Sequence, residues 1–157
     1  MSINKLIITA DGGSRGNPGK SACGFVVYTV AEFIQINGGK IDANQLINLK
    51  TNLIHKKGDY LGVQTNNYAE WTGLLKAMEW LSENYVLDET EVQVLMDSNL
   101  VVQQLLKKWK IKDTNLQNIA KQVFTYINQI KELQASHIYR EYNKEADSVV
   151  NEVLDNL

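Results

Sequence analysis

Two aspartates close apolar runs in this chain: Asp11 follows Ile7-Ile8-Thr9-Ala10, and Asp97 follows Val92 to Met96. If these runs are neighbouring parallel strands joined by a right-handed crossover, both carboxylates reach one sheet edge. That is where open α/β sheets bind their ligands. Two ionised carboxylates held close repel, so one takes up a proton or a cation neutralises them. An all-oxygen acidic site suits Mg²⁺ or Mn²⁺. Two further acids, Glu70 and Asp147, stand near the starts of helical patterns and can reach the same place.

Each acid also has a local explanation. An aspartate at a strand end can begin a turn. Asn67 as N-cap with Glu70 three residues on makes a capping box, and a carboxylate there favours the helix dipole. Asp147 precedes Val150 and Leu154 by three and seven residues, on the border of an apolar face, with Asn143 as the N-cap. The stretch after Asp11 carries four glycines, Gly12, Gly13, Gly16 and Gly19, and the only proline, Pro18. It reads as a loop whose backbone can approach a ligand closely.

The elements that must position these residues follow from periodicity. Lys5 to Ala10 reads as a central strand and Ala22 to Thr29 as a second, which Glu32 to Ile36 extends or follows as another. Asn37-Gly38 signals a hairpin turn. Gly39 to Asn52 is ambiguous, and Leu53 to Val63 holds a third strand. Asn67 to about Tyr85 is helical, with Trp71, Leu74, Leu75, Met78 and Leu81 on one face. After the Val92–Met96 strand come a short helix from Ser98 and a basic connector, Lys107 to Lys112 around Trp109. A helix from Thr114 to Leu133, a strand from Ser136 to Arg140 and a helix from Asn143 follow. The result is an α/β fold, a mixed five-stranded sheet of three antiparallel and two parallel strands flanked by helices. Residues 1–157 read as a single domain, with a hairpin or loop insertion around 31–52.

Composition sets the bounds. The 157 residues are 44% hydrophobic and 22% charged, a globular balance. A net charge of −2 gives no global signature of a nucleic-acid binder. Of sixteen basic residues only Arg15 and Arg140 are arginines, each beside a stretch already singled out. The single cysteine, Cys23, reads as core packing and fits a reducing compartment, with cytoplasmic localisation the expectation. No run is apolar enough to cross a membrane and no signal peptide is visible.

Four ordered blocks together resemble the ribonuclease H family, type 1, in its archaeal-like branch. They are Asp11-Gly12-Gly13-Ser14-Arg15-Gly16-Asn17-Pro18-Gly19, Thr65-Asn66-Asn67-Tyr68-Ala69-Glu70, Met96-Asp97-Ser98, and Arg140-Glu141-Tyr142-Asn143-Lys144-Glu145-Ala146-Asp147. The resemblance implies the ribonuclease H fold and hydrolysis of the RNA strand of RNA–DNA hybrids, leaving 5′-phosphate and 3′-hydroxyl ends. It implies two Mg²⁺ ions, replaceable by Mn²⁺, held by Asp11, Glu70, Asp97 and Asp147. Two-metal sites place their ions about 3.5–4 Å apart for in-line displacement. Reading the 2′-hydroxyl is assigned by similarity to the Gly12, Gly13 and Ser14 backbone and to Asn17, Asn66 and Asn99. Thr65 is assigned to a DNA-strand phosphate. Asparagines also favour turns and caps on their own account.

The chain departs from familiar bacterial members in two places. The loop before Asp147 is short and lacks their histidine; His137 falls within the last strand. Arg140 is therefore the candidate basic residue at the scissile phosphate. The basic helical extension is reduced to Lys107–Lys112, which can track phosphates or simply be a solvated connector. A same-fold nuclease of double-stranded RNA or DNA, and a non-catalytic hybrid-binding module, are the competing readings. No obligate protein partner is indicated, and a monomer is the default.

Overall fold

A computed structural model describes residues 2–157. One five-stranded sheet runs in the order β3-β2-β1-β4-β5. Its strands are β1 (Asn4–Arg15), β2 (Gly19–Thr29), β3 (Leu53–Gln64), β4 (Thr90–Met96) and β5 (Glu132–His137). β1 to β3 form an antiparallel meander, while β4 and β5 lie parallel to β1. The mixed sheet read from the sequence is the one observed.

Helices cover both faces. The long α2 (Asn66–Asn84) packs on one, backed by α3 (Asn99–Leu105) and α4 (Thr114–Ile127). Alternate β1 residues Leu6, Ile8 and Ala10 meet Trp71, Leu74, Met78 and Leu81 there, all inaccessible or nearly so. Trp71 Nε1 donates to Gln104 Oε1 at 3.1 Å, so the buried indole keeps a partner and ties α2 to α3. The opposite face, with Ile7, Val26, Tyr28 and Leu95, is covered by α1 (Ala43–Thr51) and α5 (Lys144–Asp155). Cys23 is buried, as core packing requires, and burial pushes its thiol up to about 12.

Several boundaries differ from the sequence reading, each for a tertiary reason. The glycine stretch is mostly not a loop. β1 continues past Asp11 to Arg15, paired with β2 down to Arg15↔Lys20. Its pairing with β4 stops at Ala10↔Met96. Asp11 therefore stands where β1 and β4 diverge, not where β1 ends. Glu32 to Ile36 forms no strand, because the Gln93 carboxamide replaces a strand partner. Ile34 N donates to Gln93 Oε1 at 3.1 Å, and Gln93 Nε2 donates to Ile34 O at 2.9 Å. The Asn37-Gly38 turn is present, with positive φ at Gly38 and Gly39 and an Asn37↔Lys40 bridge. Part of the expected 31–52 insertion is the helix α1, capped by Asp42 and anchored by buried Leu49.

α4 stops at Ile127, six residues short of expectation, and β5 begins at Glu132 instead of Ser136. Ile127, Ile130 and Leu133 keep a helical spacing, but Leu133 pairs with Val92 on β4. Arg140 consequently sits beyond the strand, in a single 3-10 turn, Arg140–Tyr142. Among the described residues no helix is long and apolar enough to cross a membrane.

Candidate active site

The fork between β1 and β4 opens a cleft of about 480 Å³. Oxygen atoms of Asp11, Glu70 and Asp97 lie within 4.8 Å of one another there. Three separate elements deliver them: β1, the start of α2, and the residue following β4. Asp147, from the first turn of α5, and Arg140 line the same cleft. Asp147 stands outside the tight trio, and its Oδ2 accepts from Asn151 Nδ2 at 3.2 Å.

The approach of Glu70 to Asp11 depends on glycines. A Cβ on Gly12 would collide with the backbone of Ala69 and Glu70. One on Gly73 would lie 2.8 Å from the Asp11 carbonyl oxygen. These two positions let α2 rest directly on the β1 main chain, and so bring the start of α2 to the fork. The capping box expected at Asn67 is not formed. Thr65 is the N-cap, its hydroxyl accepting from Tyr68 N at 3.2 Å, so Glu70 lies beyond N3 and is free of capping.

Crowded acids on a partly dry surface resist ionisation. Burial first, then the negative charge of Asp97, with smaller contributions from Glu70 and Asp147, raises Asp11 to about 8. Burial and Asp97 raise Glu70 to about 7, against the lowering effects of a Ser98 hydrogen bond and the Arg140 charge. Asp97 is raised by burial and by Asp147, and held back chiefly by Arg140. A divalent cation is the ligand such a set fits: all donors are oxygen, the acids outnumber the arginine that faces them, and they are pre-gathered.

Two supporting groups escaped the sequence reading. The Ser98 hydroxyl caps α3, accepting from Val101 N at 3.3 Å, and stands near enough to Glu70 to help lower its pKa. Asn143, expected to cap α5, makes no side-chain cap bond. It is 1% exposed; its Nδ2 donates to Ala10 O at 3.1 Å, and its carboxamide lies near enough to Asp97 to help hold its pKa down. Ser98 follows an acid and opens a helix, which is a readable signal. Asn143 carries no local signal that distinguishes it from a cap.

The assigned substrate contacts are placed unevenly. Gly12, Gly13, Ser14 and Asn66 line the cleft. Ser14 N donates to Asn66 Oδ1 at 2.8 Å, Asn66 N donates to Asn17 Oδ1 at 3.2 Å, and Ser14 Oγ donates to Gln64 O at 2.9 Å. Asn17 and Thr65 stand just outside the lining, tied into this network and the α2 cap. Asn99 is exposed on α3, accepting from Gln103 Nε2 at 3.1 Å, and does not join the cleft. His137 ends β5 with its ring edge-on to Tyr139 at 5.9 Å, close enough to Asp97 to help lower its pKa, but outside the cleft lining. The Lys107–Lys112 connector is largely exposed, and Trp109 is 49% accessible and so not a core residue.

A family model described as reverse transcriptase-like matches residues 43–153. A bifunctional protein of Mycobacterium tuberculosis is 32% identical over 96% of this chain, which spans only 36% of that protein. Ribonuclease HI of Halobacterium salinarum is 30% identical over 92% of this chain and 62% of its own length. The crystal structure of RNase H1 from that archaeon superposes with a TM-score of 0.79 at 26% identity, covering 98% of this chain and 99% of that one. An RNase H1 isolated from compost, solved in complex with an RNA/DNA hybrid, is 33% identical over 96% of this chain and 97% of its own, with a TM-score of 0.76.

Proposed function

The chain belongs to the type 1 ribonuclease H family, and from that premise we propose that it is an endonuclease hydrolysing the RNA strand of RNA–DNA hybrids. The observation that carries this reading is the gathering of Asp11, Glu70 and Asp97 oxygens within 4.8 Å at the β1–β4 fork, with Asp147 and Arg140 in the same cleft. Asp11, Glu70, Asp97 and Asp147 would hold two Mg²⁺ ions, or Mn²⁺ in their place. When bound, the ions lower the pKa of an attacking water and stabilise charge on the leaving oxygen.

The remaining work falls to the chain. Arg140 offers a cation beside Glu70 and Asp97, suited to a phosphate oxygen and able to bind it bidentately. Ser98 beside Glu70 and Asn143 beside Asp97 offset part of the cost that burial puts on these carboxylates, which both line the cleft. The Gly12–Ser14 backbone and Asn66 form the wall on which a 2′-hydroxyl would be read, because close-lying main-chain groups and an amide can both donate to and accept from it. In-line attack by water on phosphorus, with the P–O3′ bond breaking and the O3′ oxygen taking up a proton, would leave a 5′-phosphate and a 3′-hydroxyl. The test is cleavage of a hybrid labelled on either strand, across Mg²⁺ and Mn²⁺ titrations, with duplex RNA and duplex DNA alongside. Asp97→Asn is expected to fold and to lose cleavage. Cutting of the DNA strand, or substantial turnover by Asp97→Asn, would overturn the reading.

A further inference from the structure

The stretch between β2 and α1 contributes nothing to the lining of the cleft, yet its turn reaches the segment that carries Arg140. Gly38 and Gly39 have φ of 60° and 87°, the positive pair that a type I′ turn needs. Asn37 N donates to Lys40 O at 3.0 Å and Lys40 N to Asn37 O at 3.2 Å, closing the hairpin. Both of its limbs are anchored, Ile34 by the two Gln93 bonds and Ile41 by burial in the core on the α1–α5 face. The tip is not left to solvent. Gly39 O accepts from Tyr139 N at 2.8 Å, and the Tyr139 ring lies across Gly39, which is buried. A Cβ on Gly39 would stand 3.1–3.3 Å from three ring carbons. Glycine suits this position twice over, in its positive φ and in the seat it leaves for the ring.

Tyr139 directly precedes Arg140 and opens the single turn that holds it. One end of this span is fixed to β4, where Ile138 N donates to Met96 O at 2.9 Å. The other end is fixed to β1, where Asn143 Nδ2 donates to Ala10 O at 3.1 Å. Within the span, Tyr142 N donates to Tyr139 O at 2.9 Å and Asn143 N to Arg140 O at 3.0 Å, bonds that set the shape of the turn but not its place. The Arg140 guanidinium forms no ion pair among the described residues. A long side chain without an anchor of its own keeps its rotamer freedom, so its reach is decided by where its main chain is held. We propose that the hairpin is a buttress for this turn, with Gly39 and Tyr139 as positioning residues that hold Arg140 at the scissile phosphate. Without the buttress, the chain from Tyr139 to Tyr142 would hang from Ile138 and Asn143 alone. A guanidinium displaced by about 1 Å then meets the phosphate oxygen poorly.

This role rests on the hybrid-cleavage reading, and the experiment separates the two. In the wild-type protein without substrate, hydrogen exchange followed by NMR should find the Tyr139 amide slowed by roughly 100-fold or more relative to an unfolded chain. Tyr139→Pro removes that donor at a φ of −67°, a value proline adopts without strain. It is expected to lower kcat on hybrid by roughly 5-fold with KM unchanged, less than Arg140→Ala does, since placing a group cannot matter more than having it. Made in the Arg140→Ala background, the same change should cost nothing further. Tyr139→Phe, which keeps the ring and the amide, should restore the loss. Gly39→Ala gives a second handle should Tyr139→Pro unfold, with the same dependence on Arg140 expected. An unprotected Tyr139 amide, folded Tyr139→Pro or Gly39→Ala protein with wild-type kcat, or an equal loss with and without Arg140 would overturn the buttress. A wild-type protein whose Tyr139 amide is protected but which cuts no hybrid would sink the parent reading and leave the contact standing.

Discussion

Replacing Asp11 with asparagine should stabilise the metal-free protein, by an amount that grows with pH. In the unfolded chain this carboxyl titrates near its ordinary 3.8, whereas burial and the neighbouring acids raise it to about 8 in the fold. A raised folded-state value means that stability is complete below the unfolded pKa and is lost as pH rises through the folded one. The span from 3.8 to about 8 is worth roughly 5–6 kcal/mol, of which about 4 kcal/mol falls between pH 5 and pH 9. This is an upper limit, since one side of the cleft is open to water. Asparagine resembles the neutral acid in shape and does not titrate. In EDTA, followed by circular dichroism, the Asp11→Asn melting curve should lie only about a few degrees above wild type at pH 5. At pH 9 it should lie higher by up to on the order of 10 °C. A gap of equal size at both pH values would mean that Asp11 ionises normally and that the crowding argument is wrong.

Mg²⁺ added near pH 7 should displace about one to two protons from the site, because Asp11 and Glu70 must ionise to bind it. Calorimetry in buffers of different ionisation enthalpy would detect this, and buffer-independent heats would contradict it. Arg140→Ala should slow hybrid cleavage by at least 10-fold while His137→Ala has the smaller effect, since only Arg140 lines the cleft; steady-state kinetics showing the reverse order would reassign the basic residue. Gly12→Ala should cost about 1–3 kcal/mol in denaturant unfolding and should lower activity further than that loss explains, because it pushes the start of α2 off β1. Wild-type stability and turnover in that variant would show that the close approach is dispensable.

The acids could be read from the sequence because their message is carried by type, order and attachment to periodic elements. Strands and helices of one period, such as β4 and α2, were equally readable. What escaped was set by contacts between distant segments. Gly12 and Gly13 look like loop residues when only their freedom is considered; in the fold both are strand residues, and Gly12 leaves the room that α2 occupies. Glu32 to Ile36 is apolar enough to read as a strand, but the Gln93 carboxamide, some sixty residues away in sequence, takes both backbone hydrogen bonds of Ile34. Leu133 satisfies both periods, and only pairing with Val92 decides between them. Asn143 stands at the N-cap position expected of it, but its amide turns to the Ala10 carbonyl and not onto the helix, a contact between distant segments that has no local pattern. Arg140 lines the cleft, but from the turn after β5 and not from the strand, because β5 starts and ends earlier than its apolar pattern suggests.

The mutual bonds of Ser14, Asn66 and Asn17 bear on how quickly the protein could find its substrate. A surface already locked by its own main-chain donors and amide acceptors loses its conformational entropy when the chain folds, not when the ligand arrives. Association then needs no loop to close first, and its rate is set by diffusion, orientation and charge. Discrimination would come from whether a sugar hydroxyl fits a fixed outline, like a key gauge that does not flex. Loosening that outline, for example with Asn66→Ala, would therefore blur the choice between sugars before it slowed the chemistry.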